Sequence, residues 1–353
     1  MKFSPIIYLI GMLLCILSIF MIVPAFVDWF YGNENWPAFV GSSMATLFVG
    51  LILFLTNKGS ATEHLELRQA FLLTNSAWIS IAIFGSLPFL LSDIDMSFVD
   101  AFFESTSGIT TTGATVIENL EAKSHGILIW RALLQWLGGV GIIVMALAVL
   151  PMLSIGGMQL FKTESYETPD KVVPKAASFA AGISIVYITL TVIWAFMLWG
   201  AGMPIFDSIA HAMTTLATGG YSTKSESLGA FNSSTIEIII IFGMLVGSLP
   251  FVHYLALTKN GIKNLIKDDQ VKLFLTLVFF VVLIMSLYLS SNNIPFLEAL
   301  RLASFNVISI ITGTGFGTSD FNNWGGFPTT ILLILMFVGG CAGSTTCGLR
   351  MAR

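Results

Sequence analysis

The stretch from Phe102 to Val116, FFESTSGITTTGATV, concentrates hydroxyl groups in a chain that is otherwise strongly apolar. Six hydroxyl side chains precede a glycine, Gly113: Ser105, Thr106, Ser107, Thr110, Thr111 and Thr112. Oxygen atoms, above all rings of backbone carbonyls, can replace the water shell of a cation that crosses a membrane. Glycine tolerates the unusual backbone angles that turn successive carbonyls toward one axis. The stretch therefore predicts one part of an ion filter.

Two later segments repeat this pattern. They read IFDSIAHAMTTLATGGYST at 205–223 and LRLASFNVISIITGTGFGT at 300–318. Alignment on Gly113, Gly220 and Gly315 gives spacings of 107 and 95 residues. The repeating unit is therefore about 100 residues long, and we interpret it as a span, a half-helix, a glycine loop and a second span.

Polar residues recur upstream of the aligned glycines. Asp100 and Asp207 both lie 13 residues before their glycine, where a carboxylate can cap the start of the half-helix. The opposite, C-terminal end of each half-helix carries the negative end of the dipole and favours a cation in the loop. Three aligned residues within the half-helices are interpreted as packed polar contacts rather than ion ligands: Glu104, His211 and Asn306.

The composition places these segments in a membrane. The chain is 55% hydrophobic and only 10% charged, compared with about 25% charged in soluble domains, and its mean hydropathy is +0.86. Eight stretches are long and apolar enough, or nearly so, to cross a bilayer: 6–27, 38–56, 71–91, 127–150, 177–199, 236–257, 271–290 and 327–342. No nucleic-acid-binding patch is present in the sequence, and the three cysteines form neither a disulfide framework nor a zinc motif.

The charge distribution predicts the orientation. With a cytoplasmic N-terminus, the inner segments hold 12 of the 16 Lys and Arg residues, as the positive-inside rule requires. This count works only if the three short segments, 99–116, 206–223 and 299–318, enter and leave from the outside. The 11 residues from Val99 to Ile109 make about 16 Å of helix, which reaches halfway through the hydrocarbon. We therefore predict re-entrant segments that return as non-helical backbone beside protein or water.

The motifs TTTGAT, ATGGYST and TGTGFGT, with GGMQLFKTES in a loop and GGCAGSTTCGLR near the end, resemble the Trk/Ktr/HKT superfamily of potassium transporters. The match is closest to bacterial TrkH-type potassium uptake subunits and covers nearly the whole chain. It implies an all-α membrane protein with two extra helices followed by span–half-helix–span units around a pseudo-fourfold pore. The expected division is 1–70 for the extra helices and 71–160, 161–265 and 266–353 for pore units 1, 2 and 3.

The resemblance also implies a function and its residues. It implies potassium uptake across the bacterial inner (plasma) membrane, with K⁺ as the transported ion and no organic cofactor in this chain. The filter residues carried over are Thr111, Thr112, Gly113, Thr218, Gly219, Gly220, Thr314, Gly315 and Phe316. Of these, six are expected to coordinate K⁺ through their carbonyls: Thr112, Gly113, Gly219, Gly220, Thr314 and Gly315. The implied partners are a second copy of the chain, a cytosolic TrkA-like nucleotide-binding ring and membrane lipid.

An intramembrane gating loop is expected after the eighth span, at Gly340, Cys341, Ala342, Gly343, Ser344, Thr345 and Thr346. Glycines weaken a helix interior, so the span should break here, below the filter. The fourth pore unit of the family would follow residue 353 and holds the loop closed through an arginine. We therefore expect this chain to be a fragment or a truncated product, with a poorly restrained loop.

The main alternative is a secondary transporter that binds a small solute or ion at discontinuous helices between repeats. Such repeats are often inverted, whereas these three run in the same direction, which favours a pore. An enzyme is not indicated, because no nucleophile–base pair or metal cluster stands out in the sequence. The residues are compatible with both channel-like and proton-coupled transport.

Overall fold

The computed structural model describes residues 3–60, 67–149, 172–261 and 263–349. Among these residues the fold is helical, apart from a single bridge between Val338 and Leu349. The helices are α1 (Ser4–Tyr31), α2 (Trp36–Thr56), α3 (Leu67–Gly85), α4 (Leu87–Leu91), α5 (Phe98–Ile109), α6 (His125–Val149), α7 (Val172–Gly200), α8 (Ile205–Leu216), α9 (Ser234–Gly247), α10 (Phe251–Asn260), α11 (Lys263–Lys267), α12 (Asp269–Ser291), α13 (Phe296–Ile311) and α14 (Gly326–Leu335). The predicted loop motif GGMQLFKTES lies outside the described residues.

Six of the eight predicted spans correspond to observed helices. Five stretches within the described ranges are long and apolar enough to cross a membrane: Ser4–Tyr31, Trp36–Thr56, Arg68–Leu91, Ala180–Gly200 and Asp269–Ser291. The predicted span at 127–150 corresponds to the 25-residue helix α6. The all-α membrane fold is therefore confirmed.

Two predicted spans differ from the structure. The stretch 236–257 is not continuous, because the chain leaves the helix between α9 and α10 at 248–250. Pro250 has no N–H to continue the helical bonding, and its ring disfavours helix before it. The last span, predicted to reach residue 342, ends as a helix at Leu335. Both breaks involve the glycine-rich segment 339–348. It forms hydrogen bonds with the break at 248–250, and it follows the end of α14 in the sequence.

The chain divides into two compact parts. One comprises the described residues of 1–110 and 114–138, and the other comprises 111–113 and the described residues of 139–353. The three residues of the first glycine loop are thus grouped with the second part rather than with the half-helix α5 that precedes them. The predicted boundaries of the pore units stay a prediction.

In the first compact part, α1 and α2 pack through glycines. A Cβ at Gly11 would lie 2.9 Å from the carbonyl oxygen of Gly50, and one at Gly50 would lie 3.0 Å from the backbone nitrogen of Cys15. Such close approach is the usual basis of helix association in membranes, where lipid tails remove the hydrophobic drive. The buried carboxylate of Asp28 in α1 accepts hydrogen bonds from Ser124 Oγ at 3.1 Å and the backbone nitrogen of Gly126 at 2.5 Å. It therefore fixes the first turn of α6.

The three short segments are half-helices followed by non-helical backbone, as predicted. Helices α5, α8 and α13 contain 12, 12 and 16 residues. Ser97 caps α5, because its Oγ accepts from the Asp100 backbone nitrogen and donates to Asp100 Oδ2 at 2.7 Å. Asp207 occupies the first turn of α8, but its Oδ1 accepts a hydrogen bond from Thr223 Oγ1 at 2.6 Å. The two aligned aspartates therefore have different partners.

Candidate functional site

Each half-helix ends in a loop with the same unusual backbone. In all three loops the aligned glycine and the residue two positions before it have positive φ. The pairs are Thr111 (57°) and Gly113 (82°), Thr218 (50°) and Gly220 (75°), and Gly313 (71°) and Gly315 (81°). Positive φ is uncommon for threonine. Its recurrence at one register in three loops therefore marks a backbone shape that the fold maintains.

This backbone shape suits cation binding. In an extended strand successive carbonyls point in opposite directions, whereas alternation of left-handed and right-handed residues lets neighbouring carbonyls face a common side. The loops begin at the C-terminal ends of α5, α8 and α13, where the helix dipole places partial negative charge. Carbonyl oxygens and dipole ends together favour a bare cation over an anion.

In two of the three units, a serine of the half-helix donates a hydrogen bond to a backbone carbonyl of the glycine loop that follows it. Ser107 Oγ donates to the carbonyl oxygen of Ala114 at 2.6 Å, and Ser309 Oγ donates to that of Phe316 at 2.7 Å. Both serines lie six residues before the aligned glycine, and both carbonyls belong to the residue after it. The Phe316 carbonyl therefore already accepts a hydrogen bond from a side chain of its own unit.

The third loop therefore has a residue that sequence reasoning missed. By backbone conformation Gly313 is the counterpart of Thr111 and Thr218, whereas Phe316 is the counterpart of Ala114. The repeat alignment on the glycines contained this signal. The predicted set for the third loop, Thr314, Gly315 and Phe316, lies one residue later in the alignment than the sets for the first two loops.

The second and third loops meet directly. A Cβ added to Gly220 would overlap the Thr314 carbonyl oxygen, so only glycine allows the two backbones to approach this closely. Farther out, Gly229 N donates to the Gly317 carbonyl at 3.1 Å and Gly317 N donates to Ser227 Oγ at 3.2 Å. These contacts bring the predicted filter residues of units 2 and 3 together.

The predicted filter residues differ in burial. Thr111, Thr218, Gly219 and Thr314 are buried, whereas Thr112 and Gly315 are exposed. The hydroxyl of Thr314 lies 2.7 Å from that of Thr312.

The predicted gating loop is non-helical backbone between residues 336 and 349. Gly343 and Gly348 have positive φ, 79° and 87°. Its two ends are joined, since Gly339 N donates to the Leu349 carbonyl at 3.0 Å and Leu349 N donates to the Phe337 carbonyl at 3.1 Å. We call residues 337–349 the intramembrane loop.

The intramembrane loop fills the break between α9 and α10. Three backbone bonds join them: Cys341 N to Ser248 O at 3.1 Å, Thr345 N to Gly247 O at 3.3 Å, and Phe251 N to Gly343 O at 3.0 Å. Each partner thus satisfies backbone groups that the other leaves open, as non-helical backbone at membrane depth requires. The expectation of a poorly restrained loop is therefore wrong: pore unit 2 holds it.

The loop also reaches the first residues of all three glycine loops. Thr218 Oγ1 donates to Thr345 Oγ1 at 3.1 Å, and Thr111 Oγ1 lies 4.0 Å from Cys347 Sγ. A Cβ at Gly313 would lie 3.6 Å from Cys347 Cβ. The residues with positive φ two positions before the glycines therefore form the contact between the glycine loops and the intramembrane loop.

Comparisons with known proteins agree with this architecture. Residues 36–353 match the TrkH family, described as a cation transport protein. The chain is 37% identical to the Trk system potassium uptake protein TrkI of Halomonas elongata, and the match covers 100% of this chain and 72% of that protein. It is 38% identical to TrkH of Salmonella typhimurium, with coverage of 100% and 74%. The crystal structure of the potassium transporter TrkH from Vibrio parahaemolyticus superposes with a TM-score of 0.91 at 36% identity, over 99% of this chain and 73% of that one.

Proposed function

The chain belongs to the TrkH family of cation transport proteins, and we propose that it takes up potassium ions across a membrane. K⁺ is then the transported ion and needs no organic cofactor in this chain. Relatives named as potassium uptake proteins cover the whole chain at 37–38% identity. This identity places the protein in a transport family rather than an enzyme family.

One observation carries the proposal at the residue level. Three loops from three half-helices share the same pair of positive-φ positions, and a carbonyl-lined filter needs such repetition around an axis. The alternative, a secondary transporter with a solute site at discontinuous helices, is not favoured. It gives no reason for one strained backbone shape to recur three times, and the family is that of Trk potassium uptake proteins.

We assign K⁺ coordination to the carbonyls of the glycine loops, with Gly113 as the test position. Gly113→Ser adds a side chain at φ 82°, where non-glycine residues are strained by roughly 1–2 kcal/mol. In the full-length gene product reconstituted in liposomes, we expect lower K⁺ flux or a larger share of Na⁺ flux. Gly317→Ala is the control, since its added Cβ meets nothing within 4 Å and its φ is ordinary. Unchanged flux and selectivity in Gly113→Ser would remove this residue from the filter.

The distribution of Lys and Arg supports a protein that lies in the bacterial inner membrane with its N-terminus in the cytoplasm. Single cysteines introduced at Glu118–Ser124 or Thr223–Ser227 should react with an impermeant thiol reagent on intact cells. Those introduced at Lys259–Lys267 should react only after permeabilisation. The same holds for Thr163–Lys175, of which residues 163–171 lie outside the described ranges. Labelling of the lysine-rich segment from outside would overturn this orientation.

The intramembrane loop is proposed as the gate. Its support is its position against Thr111, Thr218 and Gly313, where a closed loop obstructs the inner end of the glycine loops. The family resemblance supports a homodimer and a cytosolic TrkA-like nucleotide-binding ring as partners. The basic segment with Lys259, Lys263 and Lys267 is the proposed inner surface for that ring or for lipid. Light scattering of the purified protein, with and without such a ring, tests both assemblies.

A further inference from the structure

One polar position is buried in all three half-helices. It lies nine residues before the aligned glycine and holds Glu104, His211 and Asn306, which are 0%, 0% and 1% exposed. A buried polar group in a membrane protein is costly unless it is hydrogen-bonded. Three chemically different side chains at one register therefore point to a common structural task.

Glu104 joins the half-helix to the non-helical segment that leaves the first glycine loop. Its carboxylate accepts from Thr115 Oγ1 at 2.9 and 3.0 Å and from the Val116 backbone nitrogen at 3.0 Å. It also forms an ion pair with the buried Arg131 of α6, at 2.7 Å from Nε to Oε1. The pair neutralises the charge, so Glu104 acts here as an anchor rather than as a free anion.

His211 makes the equivalent connection in the second unit. Its Nδ1 lies 2.8 Å from the Asp207 carbonyl, which can only accept, so Nδ1 carries the proton. In the neutral ring Nε2 then accepts from Ser222 Oγ at 3.0 Å. The imidazole ring also lies against Phe316 of the third loop, with ring centroids 5.9 Å apart.

Asn306 connects the half-helix of the third unit to the segment after its glycine loop. Its Nδ2 donates to the Leu302 carbonyl at 2.9 Å, and it lies 3.4 Å from Thr318 Oγ1 and 3.3 Å from Ser319 Oγ. In each unit, therefore, the side chain contacts residues two to four positions after the aligned glycine. Each glycine loop is attached to its half-helix at both ends.

We propose that Glu104, His211 and Asn306 are positioning residues that fix the width of the filter and so determine its preference for K⁺ over Na⁺. The proposal rests on the proposed function. Na⁺ is smaller than K⁺, so a carbonyl ring that can contract accepts it, and a ring held from behind excludes it. The attachments oppose contraction because they hold the non-helical segment after each glycine loop against the half-helix rather than against the ion.

The second unit offers a sharp test. His211→Phe keeps the aromatic packing against Phe231 and Phe316 but removes the hydrogen bond to Ser222. His211→Gln keeps a polar atom near the position of Nε2. We expect the K⁺/Na⁺ permeability ratio to fall about three- to tenfold in His211→Phe, as the loss of one hydrogen bond would allow. The ratio should remain within about twofold of the wild type in His211→Gln.

Ser208→Ala is the matched control. Ser208 is 1% exposed in the same half-helix, but its Oγ bonds the carbonyls of Met203 and Pro204 at the start of that helix. Its loss should leave the permeability ratio unchanged. A general packing defect in α8 would instead lower the ratio in both variants, which would overturn the assignment.

Ser222→Ala removes the same bond from the other side and provides a readout if His211→Phe does not fold. The ratio should fall as in His211→Phe, and the double variant should fall no further, because both changes break one interaction. Asn306→Leu should lower the permeability ratio in the same way in the third unit.

The measurements are reversal potentials or ion fluxes of the full-length gene product in liposomes. A wild-type protein that does not conduct K⁺ refutes the proposed function. A selective wild type with selective His211→Phe and Ser222→Ala variants refutes the positioning role alone.

Discussion

The glycine loops and the intramembrane loop are both non-helical, rich in glycine and threonine, and positive in φ at selected residues, yet they are held differently. The glycine loops after α5 and α13 are fastened to their own half-helices, through Ser107, Ser309, Glu104 and Asn306. The intramembrane loop is fastened to another pore unit, at the break between α9 and α10. Bonds within a unit keep a loop in one shape, whereas bonds between units can be exchanged when units move. The first arrangement suits a filter and the second suits a gate.

The largest expected effect is at Gly220, where the second and third glycine loops meet. Gly220→Ala places a Cβ against the Thr314 carbonyl at φ 75°, and backbone cannot yield there as a flexible side chain would. We expect K⁺ flux to fall at least about a hundredfold. Gly315→Ala has a similar φ, 81°, but no atom within 4 Å of the added Cβ. It should retain more flux, and equal losses in both variants would mean that strain alone, rather than loop contact, is responsible.

The next effect concerns the anchor of the first glycine loop. Glu104→Gln leaves the buried Arg131 without its carboxylate, and removal of one partner of such a pair costs about 3–5 kcal/mol. We expect a clear fall in the melting temperature of the purified protein. The double variant Glu104→Gln with Arg131→Gln should recover part of the loss, since it leaves no buried charge. A double variant less stable than the single one would contradict a pair that matters chiefly through charge balance.

Deletion of Gly343–Thr346 should affect gating rather than selectivity. The deletion removes two of the three backbone bonds to the break between α9 and α10, while the attachments of the glycine loops to their half-helices remain. We expect K⁺ flux to rise several-fold, with the K⁺/Na⁺ ratio changed less than about twofold. Liposome flux assays on a monodisperse deletion variant measure both. Unchanged or reduced flux would count against a gate.

The smallest expected effect is that of a single hydroxyl at the contact of the two loops. Thr345 Oγ1 accepts from Thr218 Oγ1 and lies 3.1 and 3.0 Å from the carbonyls of Leu216 and Gly247. Thr345→Val removes these interactions and nearly preserves the shape, so we expect flux to rise about two- to fivefold. Ser344→Ala is the comparison, since the Ser344 hydroxyl bonds to Cys341 and Thr346 within the loop. An equal rise in both variants would assign the effect to loop softness rather than to the contact with Thr218.

The membrane spans, the half-helices and the positions of the glycine loops could be predicted from the sequence alone. The apolar spans are set by the length and hydropathy of helices such as α1, α2 and α12, because a bilayer demands about 20 apolar residues per crossing. The half-helices and their loops were visible because the threonine–glycine pattern recurs at Gly113, Gly220 and Gly315. These are local or periodic signals, and they also carried the family resemblance.

The tertiary structure decided what depends on contacts between distant residues. Pro250 lies in a run of apolar residues that reads as one span, and the loop at 337–349 provides three backbone hydrogen bonds to the groups that the break exposes. The alignment on the glycines places Gly313 opposite Thr111, but only the structure shows that both have positive φ, because residue type does not report φ. The different partners of Asp100 and Asp207 depend on where the non-helical segment after each glycine loop lies. The attachments made by Glu104, His211 and Asn306 depend on the same segments. A hydrogen bond is decided by the meeting of two groups in space, and sequence spacing fixes only the position of one of them.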